Sequence, residues 1–191
     1  SFVTNFLKLL ATLVTVQIYK KMNKANKIPD FLAMSQQLLK DLQSDAEIKG
    51  MEFIHSNFEK QGFTDNAFEA WKPRKESMSY NLLRVTNNLF NSINVASSTP
   101  ERITFEADAP YASIHNEGGI LNVPITERSR KYFWFMFKQT GKGMWRAMAL
   151  TKKTRLTIKI DQRQFMGHSN TFSEDWNNHV TQEILTRFKN L

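Results

Sequence analysis

The chain has 191 residues, 41% of them hydrophobic and 23% charged, which is enough apolar material for a sizeable core and excludes wholesale disorder. It has no cysteine, so disulfides, thiolate metal sites and a cysteine nucleophile are excluded. The net charge of +8 is local: from Glu127 to Lys159 ten Lys or Arg residues stand against one acidic residue, and the rest of the chain is close to neutral.

In chain order, Phe2, Phe6, Leu9, Leu10, Leu13 and Val16 mark one face of a helix in residues 1–30. Asn5, Lys8 and Gln17 interrupt the apolar run, which falls short of the roughly 20 apolar residues a spanning helix needs. Lys20 and Lys21 follow the run, whereas a signal peptide carries its basic residues before it. We read this stretch as an amphipathic helical extension that docks on protein, with no membrane partner, ahead of a main domain spanning 31–191.

Pro29-Asp30 breaks the chain. Phe31, Met34, Leu38, Leu42, Ile48, Met51, Ile54 and Phe58 then recur at three- and four-residue steps, predicting a helix to about Lys60 that ends at Gly62. Ser44 and Glu47 have capping-box spacing and mark a candidate break within it. Residues 63–78 read as a loop with Phe68 and Trp71 as aromatic anchors, followed by a short helix from Ser79 to Phe90. Ile93 and Val95, then Ile103 and Phe105, alternate with polar or small residues around Thr99-Pro100, the pattern of an antiparallel hairpin. One helical turn follows Pro110, and Gly118-Gly119 ends it.

Thr126 caps a helix to about Gln139, Gly141 and Gly143 interrupt it, and a second piece runs from Met144 to Thr151; together they form a basic helical insert, 127–155. Leu156, Ile158 and Ile160 alternate as a strand. Ser173, with Glu174 and Asp175 in the first turn, is expected to cap a last helix that lines up Trp176, Val180, Ile184 and Phe188. The class is α+β: a small antiparallel sheet packed by helices, with a long N-terminal helical region and a C-terminal helix.

No chemistry of catalysis is signalled, and we expect neither an enzyme nor a cofactor or metal. His55, His115, His168 and His179 lack metal-ligand spacing. His115 beside Asn116 invites comparison with a histidine–asparagine–histidine nuclease, but the second histidine is missing at suitable spacing. Thr140-Gly-Lys-Gly143 is not a phosphate-binding loop, and no Ser–His–Asp set or carboxylate pair stands out. The run from Arg128 to Arg146 interleaves rings with cations, as single-strand nucleic-acid binders do. Phe133, Met136 and Phe137 fall at helical spacing, however, which favours a buried face with the cations outside.

Three segments carry a resemblance. Pro110-Tyr-Ala-Ser-Ile-His-Asn-Glu-Gly-Gly119, Arg163-Gln-Phe-Met-Gly-His-Ser169 and Leu83-Arg-Val-Thr-Asn-Asn-Leu-Phe-Asn-Ser-Ile93 resemble, in order and spacing, three signatures of the Mu-type phage virion morphogenesis family. The loop from Gln61-Gly-Phe to Trp71-Lys-Pro-Arg-Lys75 also resembles its members, so the likeness covers roughly residues 48–190. Asn87 and Gln164 depart from it, standing where the family has glycine and proline, so at 87 either a helix or a left-handed asparagine is expected. The resemblance implies a structural protein: a tail-completion, head–tail joining subunit forming a homo-oligomeric, hexameric ring at the head-proximal end of the tail. Its location is then the virion neck, after assembly in the bacterial cytoplasm. Its partners are itself, neighbouring tail-tube, terminator and head-connector proteins, and packaged DNA in transient contact.

Within that frame Arg163, Phe165 and Met166 are expected at a subunit interface, while Tyr111, His115, Gly118, Gly119 and Gly167 hold the local fold. Arg128, Arg130, Lys131, Lys138, Lys142, Arg146, Lys152 and Lys153 form an outward basic patch. An acidic neighbouring subunit is preferred as its partner over DNA, because DNA passes best over a surface that does not hold it. The alternative function is a nucleic-acid-binding module using segment 127–159.

Overall fold

The computed structural model describes residues 30–74 and 81–189. The amphipathic helix expected before Asp30, the end of the expected 63–78 loop and the first two residues of the 79–90 helix lie outside the described residues. In chain order the elements are α1 (Phe31–Lys60), β1 (Gly62–Thr64), β2 (Phe68–Ala70), α2 (Asn88–Asn91), β3 (Ile93–Ser98) and β4 (Ile103–Ala107). They continue as α3 (Ala112–Glu117), β5 (Gly119–Pro124), α4 (Glu127–Thr140), α5 (Gly143–Leu150), β6 (Arg155–Ile160) and α6 (Asn170–Lys189). The class is α+β; among the described residues the strands form three separate antiparallel pairs, β1–β2, β3–β4 and β5–β6. The chain forms two compact units: one runs to residue 112 and resumes at 164, the other is 113–163 and holds the 127–155 segment together with its flanking strands.

In the first unit, Asp30 starts α1 by accepting the Ala33 N–H at 3.0 Å. The helix runs unbroken through Ser44 and Glu47, because the Glu47 carboxylate accepts the Ser98 hydroxyl and so binds the β3 strand instead of capping a break. Gln61, not Gly62, takes the left-handed cap position at φ 58°, ψ 44°, its N–H returning to the Asn57 carbonyl. Gly62 is needed elsewhere: it opens β1 opposite Ala70, and a Cβ there would lie 2.4 Å from the Glu69 carbonyl oxygen.

The region expected as a loop is thus partly a hairpin. Of its two expected anchors only Trp71 is buried, with its indole N–H on the Gln164 carbonyl at 2.7 Å; Phe68 is exposed. The helix expected over 79–90 shrinks to the single turn α2. Leu83 and Asn87 both sit at positive φ, 60° and 56°, which a continuous helix cannot contain, and asparagine tolerates that region better than most residues. The Gln61 amide takes over the role of order here, bonding both the N–H and the carbonyl of Leu82.

Helix α6 begins at Asn170, earlier than the Ser173 cap expected from sequence. The Ser169 hydroxyl accepts the Phe172 N–H at 3.1 Å, and Asp65 in the β1–β2 turn accepts the N–H groups of Asn170 and Thr171 at 2.9 and 3.1 Å. The Asp65 carboxylate, on the Asn170 N–H, and its backbone carbonyl, on the Thr171 N–H, therefore fix the start of the helix from a distance. Val180, Ile184 and Phe188 pack on Leu38 and Leu42 of α1, as their spacing predicts. Arg187 pairs with Asp41 at 2.7 Å and His179 with Asp45 at 2.8 Å beside that seam. The Arg187 guanidinium holds the Asp41 carboxyl below its ordinary range. A second cluster gathers Ile54, Phe58, Trp71, Leu89, Ile93 and Phe165.

In the second unit β5 and β6 pair from Gly119 opposite Ile160 to Pro124 opposite Arg155, and α4 and α5 lie between them in sequence. Thr126 caps α4 in a reciprocal box with Ser129, and Gly141 closes it at φ 67°.

Candidate functional site: the second unit and its base

Two of the sequence signatures converge at the base of the second unit. The Arg163 N–H donates to the His115 carbonyl at 2.7 Å, tying the start of the unit to its end. Gly118, at φ 73°, makes the turn from α3 into β5; a Cβ there would lie 2.9 Å from the Gln162 backbone nitrogen. A Cβ on Gly119 would strike the Ile114 side chain at 2.7 Å. Gly118 is therefore required by close approach to backbone as well as by its conformation, and Gly119, at φ 154°, by conformation. Burial, and then the positive charge of Arg163, pushes the His115 imidazole below its ordinary pKa of 6.5. Tyr111 is exposed, and Gly167 sits at φ 150°.

Of the interface expectations for Arg163, Phe165 and Met166, the one for Phe165 needs correction. Phe165 is 0% exposed, within 5.0 Å of the Phe58 ring, and its carbonyl accepts the buried Asn57 amide at 3.1 Å. Met166 packs half-buried on the same cluster, and Arg163 is half-buried. A ring with no exposed surface cannot anchor a partner, so Phe165 is core of its own chain.

The basic patch divides. Arg130 is half-buried and faces inward: its guanidinium donates to the carbonyls of Ala149 and Thr151 at 2.9 and 2.7 Å, capping the C-terminal end of α5. A cation among the last carbonyls of a helix is a structural element, favoured by the helix dipole. Arg128, Lys131, Lys138, Lys142, Arg146, Lys152 and Lys153 are exposed. Helical periodicity puts Arg128, Lys131 and Lys138 along one face of α4.

The aromatic residues divide as well. Phe133 is buried against Trp145, with ring centroids 6.1 Å apart, and Met136 and Phe137 are half-buried, as their spacing predicts. Tyr132, Trp134 and Phe135 are exposed. The signal for this was in the sequence: residues 132–137 are six apolar residues in a row, which wrap the whole circumference of a helix, so part of the run must face outward.

Strand β5 was not legible, and with it went an apolar surface. Residues opposite one another in an antiparallel pair share a face. One face of the β5–β6 ribbon holds Leu121 opposite Ile158 and Val123 opposite Leu156, with Gly119 opposite Ile160. The other face is mixed: it holds Lys159, Arg155 and a hydrogen bond from Thr157 to Asn122 at 2.9 Å, but also Ile120 opposite Lys159 and Pro124 opposite Arg155. The apolar face is open: Leu121, Val123 and Ile158 are 38%, 42% and 41% exposed.

Among the described residues no group of three His, Asp or Glu side chains is placed to hold a metal ion, and no helix is long and apolar enough to cross a membrane. Compared with protein-family models, with curated proteins and with solved structures, the chain matches none.

Proposed function

We propose that this chain is a structural virion protein of a tailed bacteriophage, a tail-completion or head–tail joining subunit that assembles with copies of itself into a hexameric ring at the head-proximal end of the tail. The observation that carries this reading is the open apolar face of the β5–β6 ribbon. A two-stranded ribbon is marginal in water by itself, and a contiguous apolar face left exposed marks a surface that is covered on association. Leu121, Val123 and Ile158 form such a surface, on the side of the ribbon away from Lys159, Arg155 and the Thr157–Asn122 pair. The resemblance in the three signatures adds the identity of the assembly. Its two motifs at 110–119 and 163–169 meet through the His115–Arg163 hydrogen bond, at the root of the unit that bears the apolar face.

The test combines location with assembly. The protein is expected in purified virions or neck intermediates, and as a ring by mass in the assembled state. Leu121→Asp with Ile158→Asp is expected to leave the circular dichroism spectrum unchanged while abolishing incorporation, since neither side chain belongs to the chain's own core. Absence of the wild-type chain from both virions and assembly intermediates overturns the assignment.

A further inference from the structure

Helix α4 presents a strip of alternating cations and ring to solvent. Arg128, Lys131, Phe135 and Lys138 recur at three- and four-residue steps and so share one face, spread over roughly 15 Å of helix. All four are exposed, Phe135 by 55%, and Tyr132 and Trp134 stand exposed on either side of it. Among the described residues Arg128, Lys131 and Lys138 have no ion-pair partner. The unit that carries them holds eleven Lys or Arg residues against three acidic ones.

We infer that this face of α4 is a binding site for single-stranded nucleic acid, with phosphates on Arg128, Lys131 and Lys138 and a base stacked on the Phe135 ring. The alternation of cations and ring on α4 matches that of a single strand. A single strand offers an anion and an unstacked π-face in every nucleotide, and cation–ring–cation spacing engages both at once. An acidic protein surface satisfies the cations but leaves Phe135 among carboxylates. Duplex DNA supplies the phosphates, yet its bases are already stacked and leave the ring unused. The sequence pattern disfavours stacking because it predicts a buried aromatic face; Phe133 takes that buried position and Phe135 does not. The inference does not depend on the virion reading, so oligonucleotide binding and virion incorporation are scored separately.

The test uses the full chain and fluorescein-labelled oligo(dT) of about 20 nucleotides, longer than a single small site. Anisotropy is followed between about 50 and 200 mM salt, where phosphate contacts weaken steeply. Phe135→Ala is expected to weaken binding about tenfold at every salt concentration, the size of one stacked base, and Phe135→Trp to restore it. Lys131→Ala with Lys138→Ala is expected to flatten the salt slope by about 1.4, for two phosphates lost. All three positions are exposed, so unchanged circular dichroism is expected in every variant. No binding of the wild type at low salt overturns the site. So does full affinity in Phe135→Ala, or binding to duplex, polyglutamate or phosphatidylglycerol vesicles as tight as binding to oligo(dT).

Discussion

The two units of this chain treat their apolar residues in opposite ways. Among the described residues thirteen of the fifteen buried hydrophobics lie in the first unit, and the second contributes only Phe133 and Ala149. Of the fourteen large hydrophobics that are exposed, nine lie in the second unit, which is much the smaller. Charge divides in the same way. The described residues of the first unit carry nine Lys or Arg against fourteen Asp or Glu, whereas the second carries eleven against three. The first unit thus satisfies its own folding requirements, with a core, capped helices and paired charges. The second leaves apolar area and cations in water, which makes sense for a surface completed by a partner.

The sharpest way to break this contrast is to truncate one phenylalanine in each unit. Phe165→Ala removes a fully buried ring from the first core and is expected to cost about 3–5 kcal/mol in denaturant unfolding. Phe135→Ala is expected to stay within about 0.5 kcal/mol of wild type. Equal losses would show that the second unit is as well packed as the first.

Gly118→Ala tests the base of the second unit. At φ 73° and with the Gln162 backbone 2.9 Å from the new Cβ, the substitution is expected to cost about 1–3 kcal/mol. Hydrogen exchange should locate the loss in 113–163 and leave α1 protected; uniform acceleration would mean that the two units unfold as one.

Arg130 and Lys131 sharpen the comparison within the basic patch. Arg130→Ala strips the α5 carbonyls of their cap and is expected to cost about 1–2 kcal/mol, while Lys131→Ala changes stability by less than about 0.5 kcal/mol. The reverse order in thermal melts would return Arg130 to the outward patch.

The smallest expected effect is on pH dependence. His115 has a folded pKa depressed below 6.5, mainly by burial, so the unfolded chain binds its proton first. Its share of stability is complete above pH 6.5 and is lost as pH falls from there through the folded value. Melting temperatures measured from pH 7.5 downward should fall less in His115→Gln than in wild type. Parallel curves would assign the acid sensitivity elsewhere, His55 being the other depressed histidine.

What the sequence determined by itself was whatever local periodicity and capping control. The α1 and α6 faces, the β3–β4 hairpin, the Thr126 cap and the Gly141 break are all set by residues within a few positions of one another, and each was legible. Tertiary structure decided the rest, because its partners lie far along the chain. Asp65 sets the start of α6 from 105 residues away, and the Trp71 indole meets the Gln164 carbonyl across 93. Phe165 became core because the Phe58 ring and the Asn57 amide were already waiting there, and no spacing rule reports that. Strand β5 exists only because β6 pairs with it across the inserted helices. Which face of that ribbon lies open to solvent, and which rings of α4 do, depends on what the rest of the chain covers.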